Sequence, residues 1–234
     1  MTRLLVSVTS AQEAIVAAEN GADLIDIKDP QQGSLGAADP QVWREAIAAI
    51  GDNFPVSAAL GELLDEQSLA RAQQTSGLIF AKVGLAGCGS QDQWRTLWMK
   101  WQSSLASGTQ AVAVIYADWH VCAAPPPADV LQLAIDQQAA AILVDTFDKS
   151  RGSLWQCYEV SELAILARAV QQAKLKLVLA GSLQLTDLPQ LLPLRPDYIA
   201  VRGAVCNDSR TSNIDPAKVR AWSQALRDAT NDAR

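Results

Sequence analysis

Eight short apolar runs recur along the 234-residue chain, each followed by an amphipathic or polar stretch, and that alternation leaves few folds open. The runs are Leu4–Val8, Leu24–Ile27, Pro55–Leu60, Leu78–Val83, Ala111–Ala117, Ala141–Asp145, Leu175–Ala180 and Tyr198–Val201. Near-continuous apolar strands suit a parallel sheet covered on both faces. The stretches between them read as helices: Ala11–Asn20, Gln41–Ile50, Glu66–Gln74, Gln91–Leu105, Asp129–Gln137, Val160–Ala173, Leu185–Leu191 and Pro216–Thr230. Thr9 or Ser10 can cap the first, and Asp215–Pro216 opens the last with a cap followed by proline at the first helical position. This pattern predicts an α/β chain folded as a single (β/α)8 TIM barrel over residues 1–234. A doubly wound sheet shows the same alternation but normally carries a glycine fingerprint after its first strand, and SVTSAQEA has none. The APPP run at Ala124–Pro127 reads as a stiff loop before a helix, not a hinge between domains.

A barrel carries its chemistry at the C-terminal ends of its strands. Lys28 (LIDIKDP), Lys82 (LIFAKVG) and Lys149 (ILVDTFDKS) sit at or just past such ends. Burying an ammonium is costly unless it is paired or neutralised. Asp26 lies two residues before Lys28 on the same strand face, and Asp145 lies four before Lys149. Two acid–amine pairs plus Lys82 around one cavity point to amine chemistry, in which a lysine of lowered pKa attacks an aldehyde or ketone as a Schiff-base nucleophile. Structural ion pairs are the plain alternative, and the residues do not say whether Lys28 or Lys82 is the nucleophile.

The loops after strands seven and eight commonly bind phosphate. Here they read AGSLQ, with Gly181 and Ser182, and VRGAVC, with Arg202 and Gly203. Glycine permits close backbone approach, and Arg202 is positioned by sequence to grip a phosphate bidentately. In the loop after strand two, Gly33 and Gly36 bracket Ser34 and Leu35, so its backbone can fold over a ligand. His120, Asp118 and Tyr116 are weaker candidates. Trp94, Trp98 and Trp101 recur at helical spacing and read as packing against the barrel or a subunit contact, which leaves a homo-oligomer open.

Several function classes are disfavoured. A formal charge of −6 without a basic cluster speaks against nucleic acid and anionic membrane as partners. Four scattered cysteines and one histidine offer no metal-ligand spacing, so the chemistry is expected to need no metal and no cofactor. MTRLLVSVTSAQEA enters a strand directly without signal-peptide architecture, and a cytoplasmic location is expected.

The segment GADLIDIKDPQQGSLGA (Gly21–Ala37) resembles the signature of the (5-formylfuran-3-yl)methyl phosphate synthases of methanofuran biosynthesis. FAKVGL, VDTFDKS, AGSL and VRGAVC follow in the order and spacing of that family, so the resemblance covers essentially the whole chain. It implies a TIM-barrel lyase that condenses two molecules of glyceraldehyde 3-phosphate into a furan aldehyde bearing a phosphomethyl group, with loss of phosphate and water. By the same resemblance Lys28 forms the Schiff base, Lys82 relays protons, and Asp26, Asp145 and Lys149 complete the set. A plain Schiff-base aldolase acting on triose phosphates, or a non-catalytic phosphometabolite-binding barrel, are the other readings of these residues.

Overall fold

The computed structural model describes residues 1–51 and 54–231, and its strands close on themselves in sequence order. The order is β1 (Arg3–Val8), α1 (Ala11–Glu19), β2 (Leu24–Ile27), α2 (Pro40–Ile50), β3 (Val56–Glu62), α3 (Ser68–Ala72), β4 (Phe80–Gly84) and α4 (Trp94–Ser103). The second half runs β5 (Gln110–Tyr116), α5 (Pro127–Asp136), β6 (Ala141–Asp145), α6 (Val160–Gln172), β7 (Lys176–Leu179), α7 (Leu188–Leu191), β8 (Tyr198–Val201) and α8 (Pro216–Asn231). Every neighbouring pair is parallel, and β8 returns to β1 through Arg3↔Tyr198 to Val6↔Val201. This is the eight-stranded α/β barrel the alternation predicts.

Local signals account for most boundaries. Ser10 caps α1 by accepting from the Glu13 N–H, and Asp39 caps α2 ahead of Pro40. Asp215 accepts from Ala217 N at 2.7 Å at the start of α8. Two helices are shorter than expected. α3 keeps five residues of the Glu66–Gln74 stretch, and α7 is four residues between 3₁₀ turns at Leu185–Asp187 and Leu192–Leu194. Pro193 has no N–H to give an α-helical ladder and cuts the latter short.

The strands bury both faces. Trp98 and Trp101 on α4 are fully buried, with rings 5.8 Å apart, and Trp94 is nearly so, which makes all three part of the layer between helix and barrel. Inside the barrel, the inward positions change character along the axis. Leu5, Leu24, Phe80 and Val112 line its lower part, while Ser7, Asp26, Ser57, Lys82 and Asp145 line the part toward the strand C-termini. The register sets Asp26 beside both Ser7 and Ser57. The polar layer is thus assembled by adjacent strands rather than by neighbours in sequence. No helix among the described residues is long and apolar enough to cross a membrane.

Candidate active site

One cavity of about 240 Å³ opens at the C-terminal end of the barrel. It is lined by the nine residues expected to carry the chemistry or bind phosphate: Asp26, Lys28, Lys82, Asp145, Lys149, Gly181, Ser182, Arg202 and Gly203. The pairing inside it differs from the expected one. Asp26 does not bond Lys28, its neighbour on β2. Its Oδ1 accepts the ammonium of Lys82 on β4 and the Ser57 hydroxyl at 2.7 Å, while Oδ2 accepts the Ser7 hydroxyl at 3.1 Å. Asp145 takes Lys149 as expected, at 2.5 Å, and the same ammonium donates to Thr146 Oγ1 at 2.9 Å. The Thr146 N–H also donates to Asp145 Oδ1 at 2.9 Å.

Lys28 is left over. Among the described residues its Nζ has one long hydrogen bond, 3.4 Å to the Ser34 carbonyl, although the residue is only 8% exposed. Desolvation pushes its pKa down to about 8, and the positive charges of Lys149 and Arg210 add to that, against the pull of Asp145 and Asp26. Two carboxylates among three lysines therefore leave one amine that gives up its proton near neutral pH. Burial alone would raise the Asp145 pKa, but Lys149 and Lys28 outweigh it and hold the carboxyl below its ordinary value. Asp145 is thus held as a carboxylate, and Lys28 is an amine whose proton is loosely held.

The loop Asp29–Ala37 lies over Lys28. Asp29 N donates to the Gly36 carbonyl at 2.8 Å, and a Cβ on Gly36 would collide with the Asp29 carbonyl, so only glycine lets this loop fold so tightly. The Ser34 hydroxyl reaches the Thr146 carbonyl at 2.7 Å and Asp145 Oδ2 at 3.1 Å, pinning the loop to β6.

A family model described as 4-HFC-P synthase matches residues 4–223. The chain belongs to that family. The (5-formylfuran-3-yl)methyl phosphate synthase of Methanosarcina barkeri is 32% identical over 219 residues, covering 91% of this chain and 94% of its own. The enzyme of the same name from Methanopyrus kandleri is 32% identical over 233 residues, covering 96% and 98%. A putative (5-formylfuran-3-yl)methyl phosphate synthase of Methylorubrum extorquens is 33% identical over 229 residues, covering 96% and 92%. Among solved structures, the phosphoribosyl anthranilate isomerase of Thermus thermophilus superposes with a TM-score of 0.66 at 16% identity, covering 97% of this chain and all of that one. A 3-hexulose-6-phosphate synthase gives 0.63 at 15% identity, covering 94% and 99%. At such identities the likeness is one of fold.

Within this barrel, Arg202 does something other than the expected phosphate grip. Nη1 and Nη2 bond both oxygens of Glu13, at 2.5 and 3.2 Å, and the carbonyls of Ser7 and Ser212, at 3.1 and 2.9 Å. Nε bonds the Arg210 carbonyl at 2.9 Å. All five of its N–H donors are spent inside the protein. Burial alone would raise the Glu13 pKa, but Arg202 and Thr9 bring it below the ordinary value. Arg202→Ala leaves a buried carboxylate without its partner and is expected to cost about 3–5 kcal/mol, read from the urea midpoint.

Sequence reasoning missed Arg210, in the polar loop NDSRTSN, and the Ser34 hydroxyl. No residue pattern marks the first; a serine between two glycines after the Lys28 strand marks the second. His120 is exposed against Trp119. Asp118 receives the N–H groups of Phe147 and Asp148, at 2.6 and 2.9 Å, and Tyr116 donates to Glu62 Oε1 at 2.5 Å. None of these three lines the cavity. Among the described residues no group of three His, Cys, Asp or Glu side chains is gathered to hold a metal.

Proposed function

We propose that the chain is a lyase that condenses two molecules of glyceraldehyde 3-phosphate through a Schiff base on Lys28, yielding (5-formylfuran-3-yl)methyl phosphate for methanofuran biosynthesis. The observation that carries this is the buried amine of Lys28, without a carboxylate partner among the described residues and flanked in one cavity by two lysine–aspartate pairs. A neutral amine adds to a carbonyl and expels water; the resulting iminium acidifies the adjacent C–H bond. The carbonyl is the aldehyde of one triose phosphate. The Asp26–Lys82 pair, with Lys82 as the relay, takes the proton from C2, and the enamine expels inorganic phosphate from C3. The resulting enol attacks, through C3, the ketone carbon of the second triose phosphate in its isomerised form, so the new C–C bond falls on a central carbon and the skeleton is branched. A hydroxyl of the second unit closes the ring on C2, two waters leave with Lys149 and Asp145 moving protons, and hydrolysis of the iminium frees the aldehyde from Lys28. Gly181, Ser182 and Gly203 bind a phosphate through backbone N–H groups, which have no acceptor among the described residues. Family membership and the fit of these roles to the cavity support the reading.

The test is incubation with glyceraldehyde 3-phosphate, following furan absorbance and free phosphate together, with a borohydride-quenched aliquot for mass mapping. A chromophore, phosphate release and an adduct on Lys28 are expected. An adduct without chromophore or phosphate makes the protein an ordinary Schiff-base aldolase instead.

A further inference from the structure

The two halves of the barrel repeat a motif. DIKDPQQGSL (Asp26–Leu35) and DTFDKSRGSL (Asp145–Leu154) share both aspartates and the Gly-Ser-Leu end. Their loops take the same shape: Asp29 and Asp148 each cap a three-residue 3₁₀ turn, and each turn ends on a glycine of positive φ, 113° at Gly33 and 109° at Gly152. The correspondence continues. Gly61-Glu62-Leu63 at the end of β3 matches Gly181-Ser182-Leu183 after β7, with Gly61 and Gly181 at φ 86° and 103°. Each of these glycines bonds the leucine that ends the motif of its own half: Gly61 N donates to the Leu35 carbonyl at 3.0 Å, and the Gly181 carbonyl accepts from Leu154 N at 2.8 Å.

The halves differ in what fills the space above their last strand. In the first, the Glu62 carboxylate lies against Gly84, where a Cβ would overlap it, and Oε2 accepts the Ala86 N–H at 2.9 Å. The corresponding position in the second half is Ser182, whose side chain is too short to place an oxyanion there. A cation comes in instead: Arg210, whose Cβ lies 3.6 Å from where a side chain on Gly203 would begin. Arg210 is half-buried and lines the cavity. One donor, on Nη2, is spent on the Gly33 carbonyl at 3.0 Å, which fixes the guanidinium toward the cavity. Its other N–H groups have no acceptor among the described residues.

We infer that Arg210 reads the substrate phosphate held between the β7 and β8 loops, the role that Arg202 cannot perform because its donors are spent. This deepens and rests on the reading above, in which the cavity takes a triose phosphate. A pre-oriented guanidinium beside free backbone N–H groups offers a phosphate fork-shaped, charge-assisted bonds. Glu62, which supplies its own oxyanion to the matching place in the first half, explains why one such cradle rather than two is open to a ligand.

Glycerol 3-phosphate, which has no carbonyl and cannot react with Lys28, is the probe. Calorimetric titration of the full chain is expected to show binding that Arg210→Gln weakens about ten- to a hundredfold. Arg210→Lys, which keeps the charge but not the fork, should recover part of the loss. Equal affinity in the wild type and Arg210→Gln, or no binding by the wild type, overturns the inference. Unchanged melting temperatures in both variants keep a folding defect out of the comparison. If the titrations follow expectation while the wild type makes no furan from glyceraldehyde 3-phosphate, the Arg210 assignment stands and the synthase reading falls.

Discussion

Lys28→Ala is expected to lose roughly 10⁴-fold or more in furan production, the scale on which removal of a covalent nucleophile acts, and to show no borohydride adduct. The effect should be confined to chemistry, because Lys28 contributes no strong bond to the fold: its one contact is the 3.4 Å approach to the Ser34 carbonyl. Burial in fact makes it a burden on stability. A folded pKa of about 8 against the ordinary 10.5 means the unfolded chain holds the proton more tightly. The unfolded state binds more protons between those two values, so stability rises with pH across that window. The cost is fully present below about pH 8 and corresponds to roughly 3 kcal/mol. Lys28→Met should therefore be inactive yet more stable at pH 7, by an amount of order 1–3 kcal/mol, with the gain shrinking from about pH 8 upward and gone by about pH 10.5. Urea unfolding at the two pH values reads the difference. The rate of adduct formation in the wild type should climb as pH approaches 8 and then level, since only the neutral amine attacks. A Lys28→Ala variant with near-wild-type turnover removes the lysine from its role.

Asp26→Ala is expected to act in the opposite way, on the fold as well as the reaction. Asp26 is 1% exposed and is the one carboxylate partner of Lys82 among the described residues, with Lys82 itself 6% exposed, while also accepting from Ser7 and Ser57. Removing it strands a buried ammonium and two buried hydroxyls, a loss of about 3–5 kcal/mol. The companion experiment is the double variant Asp26→Leu with Lys82→Met. Replacing both partners by apolar groups leaves no unpaired charge, so its stability should return to within about 1–2 kcal/mol of the wild type while activity stays lost. A double variant as unstable as Asp26→Ala would mean that the pair holds the barrel together through more than charge balance. Together, the two experiments separate an amine whose burial is tolerated for its reactivity from one whose burial is compensated by a partner.

The contrast also marks how far the residues speak without the fold. Strand periodicity located the eight barrel strands to within a few residues, because a strand buried on both faces must be apolar throughout and the runs have no other use. The strand-end rule then brought Asp26, Lys28, Lys82, Asp145 and Lys149 to one cavity, since parallel strands all deliver their C-termini to the same end. Helix lengths were read less well. α7 is short because Pro193 breaks a ladder that amphipathic spacing alone allows, and α3 keeps only five residues of its stretch. The ten-residue repeat of the two halves was in plain letters, but half of its positions differ, and only the matching turns give it meaning.

What the amino-acid order determined by itself is the barrel, the end at which chemistry collects, and the residue types that collect there. What only the tertiary structure decided is who partners whom. Asp26 and Lys28 are two residues apart, yet the carboxylate reaches across to Lys82; Arg202 is spent on Glu13, which is 189 residues away, and Arg210 faces the cavity in its place. Ion pairs form by distance and desolvation in three dimensions, and chain spacing carries no record of either once the strands have closed into a ring.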